Sequence, residues 1–249
     1  MLVHDVDLAD GVGAWFTGRD PSGPRPRVGA PGNLSHRRPH EPAVLARTRD
    51  AVGRRIGRAP GTWHTMHQVH GDAVGVIDAR VPAGAEVRGV DALVTDQPGR
   101  TLAVAVADCV PVLLAGATTV AAVHAGRRGV QTGVVPAALA AMAALGDEVG
   151  TVRAVVGPSI GGCCYEVPAD LQAEVVADHP AAAARTTWGT PALDLGAAVQ
   201  ADLERAGVAA VRRLATCTRC DPEQRWFSHR VDPATGRQFG LVVREGAAA

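Results

Sequence analysis

The chain has 249 residues, of which 47% are hydrophobic and 20% charged, which provides a sizeable core and argues against intrinsic disorder. Its 25 basic residues balance 25 acidic ones, which excludes a global basic surface for nucleic acid, and because all the bases are arginine a catalytic or phosphate-loop lysine is excluded as well. Aromatic residues make up only 3%, so stacking platforms for single-stranded nucleic acid are not expected.

The beginning of the chain predicts no targeting segment. The residues MLVHDVDLADG are acidic and lack the basic and apolar regions of a signal peptide. The charge-free runs 109–123 and 129–146 are interrupted by proline and polar residues and do not predict a membrane-spanning helix. Five cysteines, an odd number, disfavour a disulfide framework. We therefore expect a cytoplasmic protein without membrane or nucleic-acid partners, and the sequence leaves its oligomeric state open.

The first part of the chain predicts a strand, a long loop and a helix. Residues 11–17 have the composition of a strand. Residues 18–40 are rich in proline, glycine and arginine, which is typical of a long loop of the kind that often carries function. Pro42 marks a helix start, and apolar residues at helical spacing continue the helix to Gly57.

The remainder of the chain alternates strands and helices. Short apolar runs between turn residues predict strands at 73–77, 91–95, 101–107, 109–115, 119–125, 152–157 and 211–215. Helices are predicted at 130–145, weakened by Gly133 and Pro136, at 168–177, and at 195–206 with Gly207 as its stop. Because no low-complexity linker interrupts this pattern, we expect residues 1–249 to form one α/β (α+β) domain with mixed sheets.

Two consecutive strands predict a hairpin that pairs a thiol with an imidazole. If the turn between 109–115 and 119–125 is centred between Gly116 and Ala117, Cys109 lies directly opposite His124. Directly opposed residues have Cβ atoms about 4.5–5.5 Å apart. A thiolate and an imidazole at that separation can share one zinc ion.

The run HTMHQVHG offers three candidates for a third ligand. On a helix His64, His67 and His70 would share a face, whereas on an extended chain His64 and His70 share one face and His67 lies on the other. From the residues alone, each histidine is better explained as a surface residue or a hydrogen-bonded core residue than as a ligand.

Six motifs, in order along the chain, carry a resemblance to a known family. They are HQVHG (67–71), ADCVPVLL (107–114), VAAVHAGRRG (120–129), GPSIGGCCYEV (157–167), LDL (193–195) and CTRCDPEQRWFSHR…GRQ (217–238). The chain resembles, over about 12–242, the family once called multicopper polyphenol oxidase or laccase-domain proteins. Members of that family are now described as metal-dependent purine nucleoside phosphorylases. The resemblance implies a single-domain layered sandwich of mixed β-sheets flanked by helices.

The resemblance also implies a metal site and a reaction. His70, Cys109 and His124 match the family's three metal ligands, which implies catalytic zinc, or copper, with an open position for water or substrate. The implied substrates are a purine nucleoside (adenosine, inosine, guanosine or methylthioadenosine) and phosphate. Adenosine deamination is implied as a side activity.

The segment after His124 predicts an anion site. A glycine-flanked turn from strand to helix presents backbone N–H groups, and Arg128 adds a bidentate donor suited to phosphate, although a structural salt bridge explains it equally well from the residues alone. The resemblance favours phosphate. It also marks Asn33, Arg49 and Arg230 as substrate- or phosphate-binding residues.

The chain departs from the family pattern in two motifs. Arg127 stands where the family has tryptophan in HAGWRG, which would change stacking on a purine. The segment NLSHRRPHE keeps Asn33 and Leu34 but departs afterwards, which bears on the substrate-entry loop and on substrate identity. The departures in that segment are at Ser35, Arg37 and His40.

Other functions remain as alternatives. Polyphenol oxidase chemistry is disfavoured because the nine histidines include no His-x-His for a copper cluster, although copper can bind adventitiously. Cys109 beside His124 also fits a nucleophile and base, and zinc could hydrolyse an amide, as in relatives thought to remove wrongly built muropeptide precursors. A zinc-stabilised interaction module without activity is a further alternative.

Four cysteines lie outside the implied metal site. A structural zinc needs four ligands, and CTRC supplies only Cys217 and Cys220, so the vicinal pair Cys163 and Cys164 would have to complete it. We expect these four to be free thiols, buried or partly exposed near the site. Tyr165, the only tyrosine, is expected to approach the pocket.

Overall fold

A computed structural model describes residues 3–19 and 31–246. The strands of this part of the chain are β1 (Val3–Asp5), β2 (Val12–Thr17), β3 (Trp63–His67), β4 (Val74–Val76), β5 (Glu86–Arg88), β6 (Ala92–Thr95), β7 (Thr101–Val106), β8 (Val110–Ala115), β9 (Val120–Ala125), β10 (Arg153–Val156), β11 (Ala183–Arg185), β12 (Pro191–Leu193), β13 (Ala210–Arg213) and β14 (Gln238–Arg244). The α-helices are α1 (Pro42–Ile56), α2 (Arg127–Thr132), α3 (Val134–Ala144), α4 (Ala169–Asp178) and α5 (Leu195–Arg205).

Two six-stranded mixed sheets form the centre of the molecule. Their strand orders are β1-β2-β14-β7-β3-β5 and β13-β10-β8-β9-β6-β4. Phe16 and Leu102 of the first sheet share one buried cluster with Leu113 of the second, so the sheets pack face to face. Helices α3, α4 and α5 cover the other face of the second sheet, and α1 covers the first through Val52 and Ile56. The predicted layered sandwich of mixed sheets flanked by helices is confirmed.

The predicted elements are largely present, with one helix divided. Helix α1 begins at Pro42 and ends before Gly57, whose φ of 68° closes the helix through its N–H to the Gly53 carbonyl. The single helix predicted at 130–145 is wrong, because the chain turns at Gly133, with a φ of 92°, between α2 and α3. Of the long loop predicted at 18–40, residues 20–30 lie outside the described residues.

The β8–β9 hairpin forms, but its predicted register is wrong by two residues. Pro111 pairs with His124, and the Gly116 N–H donates to the Thr119 carbonyl at 2.9 Å, so the turn is Ala117–Thr118. A shift of two residues keeps each side chain on its original face of the sheet. Cys109 therefore meets His124 diagonally rather than directly.

The buried carboxylate of Asp147 determines this turn. Its oxygens accept hydrogen bonds from the backbone N–H and hydroxyl groups of Thr118 and Thr119. A Cβ on Gly116 would lie 1.9 Å from Asp147 Oδ2, so glycine is required there to admit the carboxylate. Gly116, which the predicted register placed in the turn, lies just before the turn and leaves room for the Asp147 carboxylate.

We expect Asp147→Ala to lower the free energy of unfolding by about 2–4 kcal/mol, because it leaves donors of the Thr118–Thr119 turn without partners in a buried site. Urea denaturation measures the change. Asp50→Ala, which removes an exposed aspartate from α1, is the matched control and should change stability by less than about 0.5 kcal/mol. An equal effect of both substitutions would contradict the role assigned to Asp147.

No helix in the described part of the chain is long and apolar enough to cross a membrane.

Candidate active site

Three side chains from distant parts of the sequence converge where the two sheets meet. His124 lies in β9, Cys109 immediately precedes β8, and His70 follows β3. Their ligand atoms all lie within 4.8 Å of one another, with Cys109 Sγ 3.7 Å from His70 Nε2. His124 is buried, whereas His70 is exposed and Cys109 partly so. The structure therefore brings together the three predicted ligands, here called the His-Cys-His group.

The three histidines of HTMHQVHG lie in different surroundings, because two of them belong to β3 and the third follows it. His64 is fully buried within β3 beside Arg100, and His67 ends the strand and lines a neighbouring cavity. Because β3 is extended, and because the chain turns after it, only His70 reaches the group.

Buried Asp91 holds the group together, and sequence reasoning missed it. Its Oδ1 accepts hydrogen bonds from His124 Nδ1 at 2.7 Å and the His70 N–H at 2.9 Å. Its Oδ2 accepts from the backbone N–H groups of Val69 and Gly71 at 3.1 and 2.8 Å. One carboxylate thus orients the His124 ring with Nε2 toward Cys109 and fixes the turn that carries His70.

One residue of the group and one residue next to it have left-handed backbone conformations. His70 has a φ of 63° and Asp108 a φ of 88°, which non-glycine residues seldom adopt. Asp108 is held by hydrogen bonds from the Thr218 hydroxyl and the Arg230 backbone N–H. The Asp91 and Asp108 carboxylates therefore stabilise the turns that present His70 and Cys109.

The electrostatics of the group favour a thiolate beside a protonated imidazole. Burial opposes ionisation of Cys109, but the charge and hydrogen bonds of His124 and His70 lower the pKa of its thiol to about 6. Burial likewise opposes the charged form of His124, but Cys109 and Asp91 raise its pKa to about 9. At neutral pH the pair is therefore ionised when no metal is bound.

The donor set fits a zinc ion. A thiolate and two imidazoles are the ligands zinc prefers, and Zn–S and Zn–N bonds of about 2.3 and 2.0 Å require donors between roughly 3 and 4 Å apart. The separation of 3.7 Å between Cys109 Sγ and His70 Nε2 lies in that range. A Cβ on Gly126 would lie 2.6 Å from His70 Cδ2, so the chain keeps this position clear for the ring.

Two cavities meet at the His-Cys-His group. The first, about 390 Å³, is here called the arginine cavity because it is lined by Arg37, Arg38, Arg49 and Arg237. The second, about 460 Å³, is called the tyrosine cavity and is lined by Ile160, Tyr165, Leu195, Arg127, Arg128 and Arg230. His70, Cys109 and His229 line both cavities.

Three of the four predicted substrate- or phosphate-binding residues line these two cavities. Arg128 and Arg230 line the tyrosine cavity, with the Arg230 guanidinium carbon 5.1 Å from the centroid of the Tyr165 ring. Arg49 lines the arginine cavity and donates twice to the Leu34 carbonyl. Tyr165 approaches the pocket as expected.

Asn33 lines neither cavity. It is 4% exposed, and its side-chain oxygen accepts hydrogen bonds from the backbone N–H groups of Ser35 and Arg237, while its amide donates to the Ser35 carbonyl. Asn33 therefore organises the loop that carries cavity residues, and its assignment to substrate or phosphate stays a prediction.

The exposed imidazole of His229, in the FSHR motif, was also missed. It lines both cavities at the point where they join. The motif was recognised in the sequence for Arg230, and the neighbouring histidine had no separate signal.

We expect Cys109 of the metal-free protein to react with iodoacetamide along a pH profile with a midpoint near 6, because His124 stabilises its thiolate. A thiol with its ordinary pKa of 9.0 would be only about 1% ionised at pH 7. Peptide mass spectrometry after chelation measures the rate at this residue, and Cys109→Ser supplies the blank. A midpoint above pH 8 would contradict the ion pair.

The chain is similar to known proteins over most of its length. The model of a family described as multi-copper polyphenol oxidoreductase laccase matches residues 14–245. A purine nucleoside phosphorylase of Streptomyces coelicolor is 47% identical over 205 residues, covering 81% of this chain and 83% of the relative. A purine nucleoside phosphorylase of Mycobacterium bovis is 42% identical over 215 residues, covering 86% and 84%.

Solved structures share the fold. YlmD of Geobacillus stearothermophilus superposes with a TM-score of 0.85 at 27% identity, over 95% of this chain and 93% of that one. A Neisseria meningitidis protein superposes with a TM-score of 0.82 at 29% identity, over 98% and 99% of the two chains. The family resemblance inferred from the motifs is confirmed.

Proposed function

The chain belongs to the multi-copper polyphenol oxidoreductase laccase family, and from this membership we propose that it is a purine nucleoside phosphorylase. The observation that carries the proposal is that relatives 42–47% identical over more than four fifths of the chain bear that name. The reaction joins a phosphate oxygen to C1′ of the ribose and breaks the bond to the purine, which leaves with the electron pair.

Two cavities that meet at one polar group suit this reaction. Phosphate attacks C1′ from the side opposite to the leaving base. The reaction therefore needs the phosphate and the base on opposite sides of the ribose. We assign the ribose to the junction at His70, Cys109 and His229, which both cavities share. The base and the phosphate then occupy one cavity each.

The tyrosine cavity is assigned to phosphate. The Arg128 guanidinium makes no hydrogen bond or ion pair with any residue among 3–19 and 31–246, so it is available to an anion. Arg230 points along the same wall, where it donates to the Glu166 carbonyl at 3.1 Å and lies over Tyr165. Arginine suits phosphate because its planar donors bind two oxygens at once.

The arginine cavity is assigned to the purine. Met66, Ala105 and Phe239 supply apolar wall, and Arg49 and Arg237 supply donors for acceptor atoms of the base. Four arginines line this cavity against one acidic residue, Glu86, which pairs with Arg37, so the remaining guanidinium groups leave a net positive charge there. Such charge stabilises a purine that gains negative charge as its bond to the ribose breaks.

The His-Cys-His group is assigned to zinc. His70 Nε2, Cys109 Sγ and His124 Nε2 would hold the ion, and Asp91 keeps the His124 ring in place from behind. Three protein ligands leave one position open, at which zinc acts as a Lewis acid or lowers the pKa of water. Copper could occupy the same donors.

Product analysis tests the proposal. Purified protein is incubated with inosine, adenosine, guanosine or methylthioadenosine, with and without phosphate, and products are separated by chromatography. The expected result is free base with ribose 1-phosphate, or its methylthio analogue, formed only with phosphate. Formation of inosine from adenosine reports the deaminase side activity. Inosine as the sole product, formed without phosphate, would refute phosphorolysis.

We expect Arg128→Gln to raise KM for phosphate about tenfold or more while changing KM for inosine less than threefold, because a hydrogen bond to a charged group is worth about 1.5–3 kcal/mol. Steady-state kinetics with each substrate varied in turn measure both constants. Arg153→Gln, at an exposed arginine of β10, is the matched control. A larger effect on inosine than on phosphate would reverse the assignment of the cavities.

The thiolate of Cys109 supports one alternative, a hydrolase with a cysteine nucleophile and His124 as its base. The two functions differ in their need for metal. A nucleophilic thiol requires Cys109 but is blocked by zinc, so chelation would activate it, whereas chelation should abolish phosphorolysis. Amide hydrolysis that increases on chelation would favour this alternative.

A further inference from the structure

The four cysteines outside the His-Cys-His group converge on one point. The sulfur atoms of Cys163, Cys164, Cys217 and Cys220, here called the four-cysteine group, all lie within 4.8 Å of one another. Cys163 Sγ and Cys220 Sγ are 3.6 Å apart. These residues come from two segments more than 50 positions apart, and none of them belongs to the site described above.

The fold brings the two segments together through the backbone. The Thr218 N–H donates to the Ser159 carbonyl at 3.0 Å, and the Ser159 N–H donates to the Thr216 carbonyl at 3.3 Å. One turn follows in each segment, with the Cys164 N–H donating to the Gly161 carbonyl and the Asp221 N–H to the Cys217 carbonyl. The two turns present two sulfurs each toward the same space.

Backbone donors surround one of these sulfurs. The Gly161 N–H lies 3.3 Å from Cys217 Sγ. The backbone N–H groups of Arg219 and Cys220 also interact with this sulfur. Donors aimed at a sulfur stabilise thiolate and are typical of the surroundings of metal-bound cysteine.

We propose that the four-cysteine group is a second metal site, which binds one structural zinc ion through Cys163, Cys164, Cys217 and Cys220. Four Zn–S bonds of about 2.3 Å in a tetrahedron place the sulfurs about 3.8 Å apart. The 3.6 Å between Cys163 and Cys220 matches that spacing and is far too long for a disulfide. Four protein ligands close the coordination sphere, so the site stabilises structure and has no place for substrate.

The position of this site gives it a consequence for the pocket. The first pair of cysteines lies between Ile160 and Tyr165, and the second pair lies on the segment that continues to Arg230. These three residues line the tyrosine cavity. A zinc ion between the segments would cross-link two walls of that cavity. The four cysteines are free thiols in the structure, as the sequence predicts, and the proposed ion would link the two turns that carry them.

Metal content tests the proposal independently of the function proposed above. Protein is expressed with zinc in the medium, purified under reducing conditions, and its zinc is measured per chain by plasma mass spectrometry. Cys109→Ser, which disables the His-Cys-His group, is expected to retain one zinc. The double variant with Cys109→Ser and Cys220→Ser is expected to retain none. Cobalt bound to the Cys109→Ser protein should show the strong thiolate charge-transfer absorption of tetrahedral cobalt.

A measurement on the intact chain covers the case in which the double variant does not fold. Thiol reagent added to native wild-type protein should modify the four cysteines slowly, and chelation should release zinc together with rapid modification, mapped by peptide mass spectrometry. The proposal is overturned by a Cys109→Ser protein without zinc, by iron in place of zinc, or by a disulfide between any two of these cysteines. If the wild-type protein holds zinc at the four-cysteine group but none at the His-Cys-His group, the proposed catalytic metal is refuted and the four-cysteine site stands.

Discussion

Replacement of Cys109 by serine is expected to reduce purine nucleoside phosphorolysis by about a thousandfold, the loss typical when a preorganised charge at a reacting centre is removed. A serine hydroxyl does not ionise beside His124 at neutral pH, so the group loses its one anionic donor. Only two imidazoles would remain within reach of the ion, which is fewer than a catalytic zinc site uses. The variant should therefore lack the zinc equivalent held by the His-Cys-His group.

Paired measurements separate loss of metal from loss of fold. Zinc content, kcat/KM for inosine and phosphate, and urea denaturation are measured on the same preparation. Cys109 is only partly buried at the edge of β8, so the variant should still fold, with a free energy of unfolding, measured on both proteins without metal, lowered by about 1.5–3 kcal/mol through loss of the pair with His124. His70→Ala should behave alike, whereas His179→Ala, at a histidine paired with Asp202 beyond α4, should keep metal and activity. Full activity in Cys109→Ser would remove the metal site from the mechanism.

Local signals in the sequence were sufficient to predict much of the fold. Helix α1 could be predicted because Pro42 and Gly57 act on the residues beside them. Strand β14 was missed although it lies between β2 and β7 in the first sheet, because 238–244 contains glycine and a charged residue and its neighbours come from far away in the sequence. A strand of this kind is determined by its partners rather than by its own periodicity.

The same distinction applies to the candidate site. Cys109 and His124 could be paired from the sequence because they lie on one hairpin, and an error of two residues in its register left them on the same face. His70 was identified through a family motif. Asp91 had no signal of its own in the sequence, since an aspartate at the start of an apolar strand is as typical of an ordinary turn as of a functional site. Its four hydrogen bonds join segments 69–71 and 124, and only the folded chain brings these together.

Asp91→Asn is expected to weaken zinc binding by the His-Cys-His group by about 10–100-fold, the usual effect of removing a carboxylate behind a metal-bound histidine. The carboxylate accepts four hydrogen bonds and donates none, whereas an amide places an N–H₂ group opposite donors. Either His124 Nδ1 or the turn at His70 must lose its partner. Both changes misplace a ligand of the ion.

The effect of Asp91→Asn on zinc binding depends on pH, because the wild-type side chain acts in its ionised form. Burial raises the pKa of its carboxyl, but hydrogen bonds from His124 and from the backbone of Gly71 and Val69 outweigh burial and lower it below 3.8. Stability that depends on the ionised form is therefore present above about pH 4 and lost as the pH falls through the lower folded value. At pH 7 the wild-type carboxylate is fully charged, so the comparison with asparagine is made there.

Competition with a chromophoric chelator at pH 7 measures the zinc affinity of Asp91→Asn and of its matched control, Asp147→Asn. Both substitutions remove a buried carboxylate that organises a turn, but Asp147 lies at the opposite end of the β8–β9 hairpin from His124. Both should lower the free energy of unfolding, and only Asp91→Asn should weaken zinc binding. Excess zinc should restore much of its activity, because the ligands themselves remain. Equal zinc affinities in the two variants would show that Asp91 serves the fold and does not position the metal ligands.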